Sequence, residues 1–159
     1  MRGLRVGATV TPLRWSLVNA SGVLLVDQLT KWWAVATLPG NPIVLIDGIL
    51  DLRYVTNSGV SFSMFQGAGA VIALAVIAIV VFVAILVTKI DTTPEAVALG
   101  LVLGGAVGNL ADRAFRGDGW FNGAVVDFVD FSFFPAFNAA DSSVTIGAVL
   151  VLFLAVFRK

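Results

Sequence analysis

Any catalysis by this chain must come from Asp, Glu, Ser, Lys, Tyr or the backbone, because the sequence contains no histidine and no cysteine. Their absence excludes thiol nucleophiles, disulfides, Cys or His metal sites and every His-dependent triad. Asp127 lies in the mostly apolar run 124–131, and Asp141 directly precedes the charge-free stretch 142–157. Asp130 shares that run with Asp127, and spacing does not choose between them. The alternative role for Asp141 is the N-cap of a following helix.

Two aspartates in a partly desolvated setting could hydrolyse a peptide bond. Both cannot ionise easily, so the pair would share one proton across the working pH. One carboxylate then acts as base on a water molecule, while the protonated partner polarises the scissile carbonyl and later the leaving amine. A Ser–Lys pair is the other arrangement without histidine. Its candidates are Lys31 with Ser58, Ser61 or Ser63, but no spacing supports it.

Two further polar pairs have the four-residue spacing that places side chains on one helix face. They are Asp27 with Lys31, and Asn109 with Arg113. Ionisable residues cost about 2.5–3.5 kcal/mol each within a membrane segment, so the first pair is either functional or an ion pair that lowers this cost. Asn109 and Arg113, with Asp112 beside them, indicate a structural and positioning role, because an Arg fork binds carboxylates or carbonyls.

Membrane-spanning helices are the elements that must position these residues. Of the 159 residues, 58% are apolar and 13% are charged, which is about half the charge of a soluble domain. A spanning helix needs about 20 mostly apolar residues. Four stretches qualify, at about 15–35, 68–87, 94–110 and 142–157. The sequence therefore predicts a single α-helical integral membrane domain over residues 1–159 with four transmembrane helices.

The segments that join these spans predict two structures on the outer face. Residues 41–66 contain Asp47-Gly48, a hairpin signal between β-prone runs, which predicts a small extracytoplasmic β element. The stretch of about 114–140 is rich in Pro, Gly and aromatic residues and is predicted to be an irregular outer loop.

Charge distribution predicts the orientation. The side that holds both termini carries six basic and two acidic residues, and the opposite side carries four basic and eight acidic residues. Both termini are therefore predicted to be cytoplasmic. The net charge of zero also argues against nucleic acid as a partner, because such binding needs a basic surface.

Five motifs, in order, resemble those of the lipoprotein signal peptidases (signal peptidase II), which are bacterial membrane aspartic proteases. The resemblance covers residues 16–157, and one departure is Val60-Ser61, where the family often has Ala-Ala. The motifs are Asp27-Gln28-Leu29-Thr30-Lys31, Asn57-Ser58-Gly59-Val60-Ser61-Phe62, Gly104-Gly105-Ala106-Val107-Gly108-Asn109-Leu110-Ala111-Asp112-Arg113, Val125-Val126-Asp127-Phe128 and Phe137-Asn138-Ala139-Ala140-Asp141.

The resemblance implies a catalytic pair of Asp127 and Asp141, and it gives Asp130 no catalytic position. It further implies that six residues shape the site or hold the substrate: Asp27, Lys31, Asn57, Asn109, Arg113 and Asn138.

The implied activity is removal of the signal peptide from diacylglyceryl-modified prolipoproteins, before the lipidated Cys. The implied place is the bacterial cytoplasmic (inner) membrane, with the active site near its outer face. We expect no metal or other cofactor, with the prolipoprotein and membrane lipid as the partners of a monomer.

Three alternatives compete with this interpretation. An ion- or proton-conducting protein would use Asp27 and Lys31 with the outer acids as a relay, but the second predicted span has no polar residue. A non-catalytic packing subunit would use Gly100, Gly104 and Gly108, which indicate close helix packing, but leaves the outer acids unexplained. A cleaved N-terminal signal peptide is opposed by the charges inside its apolar region.

Overall fold

The computed structural model describes residues 10–58, 68–118, 121 and 123–157. In these ranges the chain is mainly helical with a small antiparallel sheet, as the composition and the hairpin signal predict. In chain order the elements are α1 (Val10–Thr37), β1 (Ile43–Ile46), β2 (Leu50–Asn57), α2 (Ala68–Val87), α3 (Thr93–Phe115), β3 (Val125–Phe131), β4 (Phe134–Phe137) and α4 (Ala139–Val156).

Two of the described helices, α3 and α4, are long and apolar enough to cross a membrane. Within α2, Ala73–Val87 forms a shorter apolar helix. The 28-residue helix α1 carries Arg14, Asp27 and Lys31 and does not reach the same standard in its described residues. Four membrane spans therefore stay a prediction.

Helix α3 packs against each of the other three helices. The predicted glycine stripe makes the close approach possible on the α1 side, because a Cβ at Gly104 would lie 2.6 Å from the Ala20 carbonyl oxygen. A Cβ at Gly100 would lie 2.7 Å from the Ser16 carbonyl oxygen. Such distances are shorter than real Cβ contacts, so any larger residue would push the helices apart. The glycines therefore bring α1 and α3 together, as the stripe indicates.

The sheet has the order β1-β2-β3-β4, and each neighbouring pair is antiparallel. The hairpin predicted at Asp47-Gly48 is confirmed, since Ile46 pairs with Leu50 and Gly48 has a positive φ of 68°. Strand β2 then pairs along its length with β3, and Val55 lies opposite Asp127. Within the predicted β element 41–66, residues 59–67 lie outside the described part of the chain.

The prediction of an irregular loop over 114–140 is wrong for most of its length. It contains β3 and β4, and its ends belong to α3 and α4. Strand β3 consists of valine and phenylalanine around two aspartates and forms its ladder with β2, which is distant in sequence. Pro135 lies in β4 at the edge of the sheet, where a residue without an N–H is tolerated.

A small core joins the sheet to the end of α1. Ala34 and Leu38 pack with Val126 and Phe128 of β3, and all four side chains are buried. This core fixes the sheet against the end of α1. The strand β3 is buried there, and its residue Asp127 is buried as well.

Candidate active site

Asp127 is placed by the alternation of its strand. Val126 and Phe128 pack on α1, so the side chain between them points to the opposite face of β3. There it is only 2% exposed. Asn57 Nδ2 donates to its Oδ2 at 3.1 Å, and Asn138 Nδ2 donates to its Oδ1 at 2.7 Å.

Burial raises the pKa of Asp127 from 3.8 to about 6. Loss of hydration is the largest cause, and the negative charge of Asp141 raises the pKa further. Hydrogen bonds from Asn57 and Asn138 and the charge of Lys31 act in the opposite direction. The carboxyl is therefore able to change protonation state close to neutral pH.

Asp141 is held in the first turn of α4 by a capping box. The N-cap is Asn138, whose Oδ1 accepts from the Asp141 N–H at 3.0 Å, and whose own N–H donates to Asp141 Oδ2 at 3.2 Å. The alternative role of Asp141 as N-cap is thus wrong, because the helix begins three residues earlier than the apolar stretch. A second amide, Asn109 Nδ2, donates to Asp141 Oδ1 at 2.8 Å.

Asn138 therefore contacts both carboxyl groups. Its side chain binds Asp127 and its backbone N–H binds Asp141. Asn138 is itself fully buried, and its amide nitrogen also lies 3.2 Å from the Val126 carbonyl oxygen. The two aspartates are consequently held around one rigid residue.

Lys31 lies at the centre of a second polar cluster beneath the aspartates. Its Nζ is 2.9 Å from Asp27 Oδ2, 2.9 Å from Asp112 Oδ2 and 2.8 Å from Asn109 Oδ1. These three acceptors match the three protons of an ammonium group. Since both charged pairs have 0% side-chain exposure, the ion pair suggested by the Asp27–Lys31 spacing is present and enlarged by Asp112.

This arrangement argues against the Ser–Lys alternative. A lysine that acts as base must contact the serine hydroxyl, whereas the described contacts of Lys31 Nζ are with Asp27, Asp112 and Asn109. Ser58 is exposed, and its carbonyl oxygen accepts from Arg113 Nη1 at 3.4 Å. Ser61 and Ser63 lie outside the described residues.

Arg113 and Asp130 differ in their relation to Asp127. Arg113 is buried and interacts electrostatically with Asp127. Asp130 is three residues further along the strand, an odd separation that places it on the other face. There Asp130 Oδ2 lies 2.5 Å from Nε of the exposed Arg53.

Two open cavities adjoin the aspartates. One, of about 480 Å³, is bordered by Asp141 and by apolar and aromatic side chains such as Phe134, Phe137 and Ile146. The other, of about 210 Å³, is bordered by Asp127. Asn57 borders both cavities, so the cavities beside the two carboxyl groups are neighbours. Together they provide space for a bound peptide chain next to Asp127 and Asp141.

The eight site residues predicted from the sequence all belong to this one region. Asp112 and Gln28 belong to the same region but were not among the predicted site residues. Gln28 Nε2 donates to Asp27 Oδ2 at 3.1 Å and to Asp112 Oδ1 at 3.3 Å. A signal for Asp112 was available, because it lies three residues after Asn109 and so shares its helix face.

Asp127 and Asp141 each lie beside an open cavity, and the pKa of Asp127 is raised. Such a pair can activate a water molecule and donate a proton, as the active site of a hydrolase must. The family model described as Signal peptidase (SPase) II matches residues 20–157. The chain belongs to the signal peptidase II family, whose members are proteases of bacterial membranes.

Its relatives agree in sequence and in structure. A lipoprotein signal peptidase of Rhodococcus jostii (strain RHA1) is 45% identical over 138 residues, which cover 86% of this chain and 70% of the relative. One from Mycobacterium avium (strain 104) is 42% identical over 146 residues, covering 91% and 80% respectively. A solved structure of a bacterial membrane enzyme, obtained by the in meso method, is 29% identical with a TM-score of 0.79. That match covers 91% of this chain and 94% of the other.

Proposed function

We propose that this chain is a membrane aspartic endopeptidase that removes the signal peptide from diacylglyceryl-modified prolipoproteins, cutting before the lipidated Cys. The observation that carries the proposal is the attachment of Asp127 and Asp141 to the single buried residue Asn138. The substrate class is supported by the similarity of the chain to lipoprotein signal peptidases.

In the proposed reaction the two carboxyl groups share one proton. Asp141 is the base: it accepts two N–H donors and lies in the first turn of α4, where the helix dipole favours a negative charge. We assign the shared proton to Asp127, because burial favours the protonated form of its carboxyl and raises its pKa to about 6.

The bonds change in two steps. Asp141 takes a proton from water as the water oxygen adds to the scissile carbonyl, whose oxygen receives the proton of Asp127. The tetrahedral intermediate then collapses: its hydroxyl returns a proton to Asp127, and Asp141 protonates the leaving nitrogen as the C–N bond breaks. Both carboxyl groups regain their starting states, so no other co-reactant than water is consumed.

We further propose that cleavage takes place near the outer face of a bacterial cytoplasmic membrane, which four helices span with both termini inside. Trp32 and Trp33 are exposed close to the end of α1, and aromatic residues concentrate at membrane–water interfaces. The apolar walls of the larger cavity suit a lipid-bearing substrate or its signal helix.

A transmembrane proton relay receives less support. The buried charged residues of the described chain are Asp27, Lys31, Asp112, Arg113 and Asp127, and all of them belong to the cluster at one end of the helices. A relay needs such groups through the membrane depth.

Cleavage of a diacylglyceryl prolipoprotein by the purified protein, without added metal, tests the proposal. Asp127→Asn and Asp141→Asn should each abolish cleavage while the protein stays folded in the membrane. Asp130→Asn is the matched control, because the same change is made on the same strand but on the opposite face. Full activity of either Asn variant, or a stoichiometric metal requirement, would overturn the proposal.

A further inference from the structure

We infer that Asp112 is a positioning residue, which holds strand β3 through the Val126 N–H so that Asp127 stays aligned with Asp141. The inference rests on the proposed function and adds to it a residue that does not touch the reacting atoms.

Asp112 is 1% exposed, and both of its oxygens are in use. Oδ2 lies 2.9 Å from Lys31 Nζ and accepts from the Val126 N–H at 3.1 Å. Oδ1 accepts from Arg116 Nε at 2.7 Å and from Gln28 Nε2 at 3.3 Å. The carboxylate is therefore held by two cationic groups and an amide in addition to its bond to the strand.

The bond to Val126 acts one residue away from Asp127. The other backbone group of Val126, its carbonyl oxygen, accepts from Asn138 Nδ2 at 3.2 Å. Residue 126 is thus held through its N–H by α3 and through its C=O by the start of α4. Since that C=O belongs to the peptide bond that leads into Asp127, movement at Val126 would displace the Asp127 carboxyl directly.

A matching contact exists for Asp141. Asp27 Oδ1 accepts from the N–H of Ala140, the residue before Asp141, at 3.0 Å. Asp27 and Asp112 bind the same ammonium group, that of Lys31. One buried cation with two carboxylates therefore holds the backbone immediately before each of the two proposed catalytic residues, which sets their relative position.

Asp112→Glu is the most informative variant. It keeps the negative charge that faces Lys31 and Arg116, but one extra methylene moves the carboxylate relative to the Val126 N–H. A displacement of about 1 Å costs about 100-fold in rate, so we expect kcat to fall by that order while KM stays within about twofold. Asp112→Asn should lose activity at least as strongly. Both oxygens of Asp112 accept from N–H donors, and the NH₂ group of an asparagine would face such donors without being able to accept from them.

The test measures kcat and KM of each protein, normalised to the amount of folded protein. The proteins compared are wild type, Asp112→Glu, Asp127→Asn and the control Asp130→Asn. A wild-type kcat for folded Asp112→Glu overturns the inference. The inference is also overturned if activity falls only because KM rises or because less protein is folded, while kcat per folded molecule keeps its wild-type value. The proposed function fails separately, if wild type does not cleave the substrate or if Asp127→Asn does.

Discussion

Asn138 Nδ2 donates to Asp127 Oδ1 across 2.7 Å, the shortest hydrogen bond that this side chain makes among the described residues. The same residue is the N-cap of α4 and binds Asp141 through its backbone. Asn138 therefore links the start of α4 to the Asp127 carboxyl of β3, and a substitution at Asn138 would displace the carboxyl groups of both Asp127 and Asp141.

Replacing Asn138 with alanine should reduce kcat about 100-fold, because both carboxyl groups lose a positioning donor or its support. Loss of the cap should also cost about 1 kcal/mol of unfolding free energy. Cleavage rates and thermal unfolding of the purified protein measure the two effects. Asn41→Ala is the control, since Asn41 is exposed and its amide donates to the Pro39 carbonyl oxygen. Wild-type kcat in Asn138→Ala would contradict the shared-donor role.

The raised pKa of Asp127 predicts how stability depends on pH. The carboxyl titrates at about 6 in the folded protein and near 3.8 when unfolded, so the folded state binds more protons between these values. The stabilising contribution of Asp127 is therefore complete below about pH 4 and is lost as pH rises through about 6. The loss corresponds to roughly 3 kcal/mol at most.

Asp127→Asn removes this titration and is the variant that tests it. The Tm of the variant minus that of wild type should rise between about pH 4 and pH 7, because only wild type loses stability over this interval. The amide that Asp127→Asn introduces faces the two amide donors of Asn57 and Asn138, but this cost does not change with pH and cancels in the comparison. A difference that stays constant across this interval would show that the pKa is not raised.

Gly108→Ala should damage the cluster beneath the aspartates. A Cβ at position 108 would lie 2.5 Å from Asp27 Oδ2, the oxygen that binds Lys31. Displacement of that carboxylate should cost about 1–3 kcal/mol and lower the cleavage rate. Gly22→Ala is the control, because no atom lies within 4 Å of its new Cβ. That change should instead stabilise α1 by up to about 1 kcal/mol, and equal effects of the two substitutions would contradict the packing.

Thr145→Phe tests whether the larger cavity receives the substrate. Thr145 borders that cavity one helical turn after Asp141, and a phenyl group there would fill part of its volume. We expect kcat/KM to fall at least about tenfold through a raised KM, while the protein stays folded. Leu152→Phe, at an exposed position of α4, should leave kcat/KM unchanged. Unchanged kcat/KM in Thr145→Phe would place the substrate elsewhere.

The helices were the most predictable part of the fold, because long apolar stretches have few alternative structures. Residues 68–87, chosen for their lack of charge, have the bounds that α2 has in the structure. The start of α4 was misjudged by three residues, since the capping box at Asn138 includes polar residues that composition excludes from a span. The hairpin was predictable because Asp47-Gly48 is a local signal.

Strands β3 and β4 were not predictable in the same way. Strand β3 depends on its ladder with β2 and on packing against α1, and neither contact is visible in the local sequence. Strand β4 in turn pairs with β3. Recognition of β3 alone would have separated Asp127 from Asp130, because successive residues of a strand face opposite sides and these two are an odd number of residues apart. The residues of the site were therefore predictable from local sequence, but the strand that distinguishes Asp127 from Asp130 was not.

The two charged pairs in α1 and α3 also have a consequence for biosynthesis. Asp27 with Lys31 and Asp112 with Arg116 each join opposite charges four residues apart in sequence. In the membrane-spanning arrangement proposed above, each nascent helix can leave the translocation machinery with its acid already neutralised by its own base, which lowers the cost of partition into lipid. Lys31 then gains Asp112 only when the helices meet, so insertion and assembly of the site are separate events.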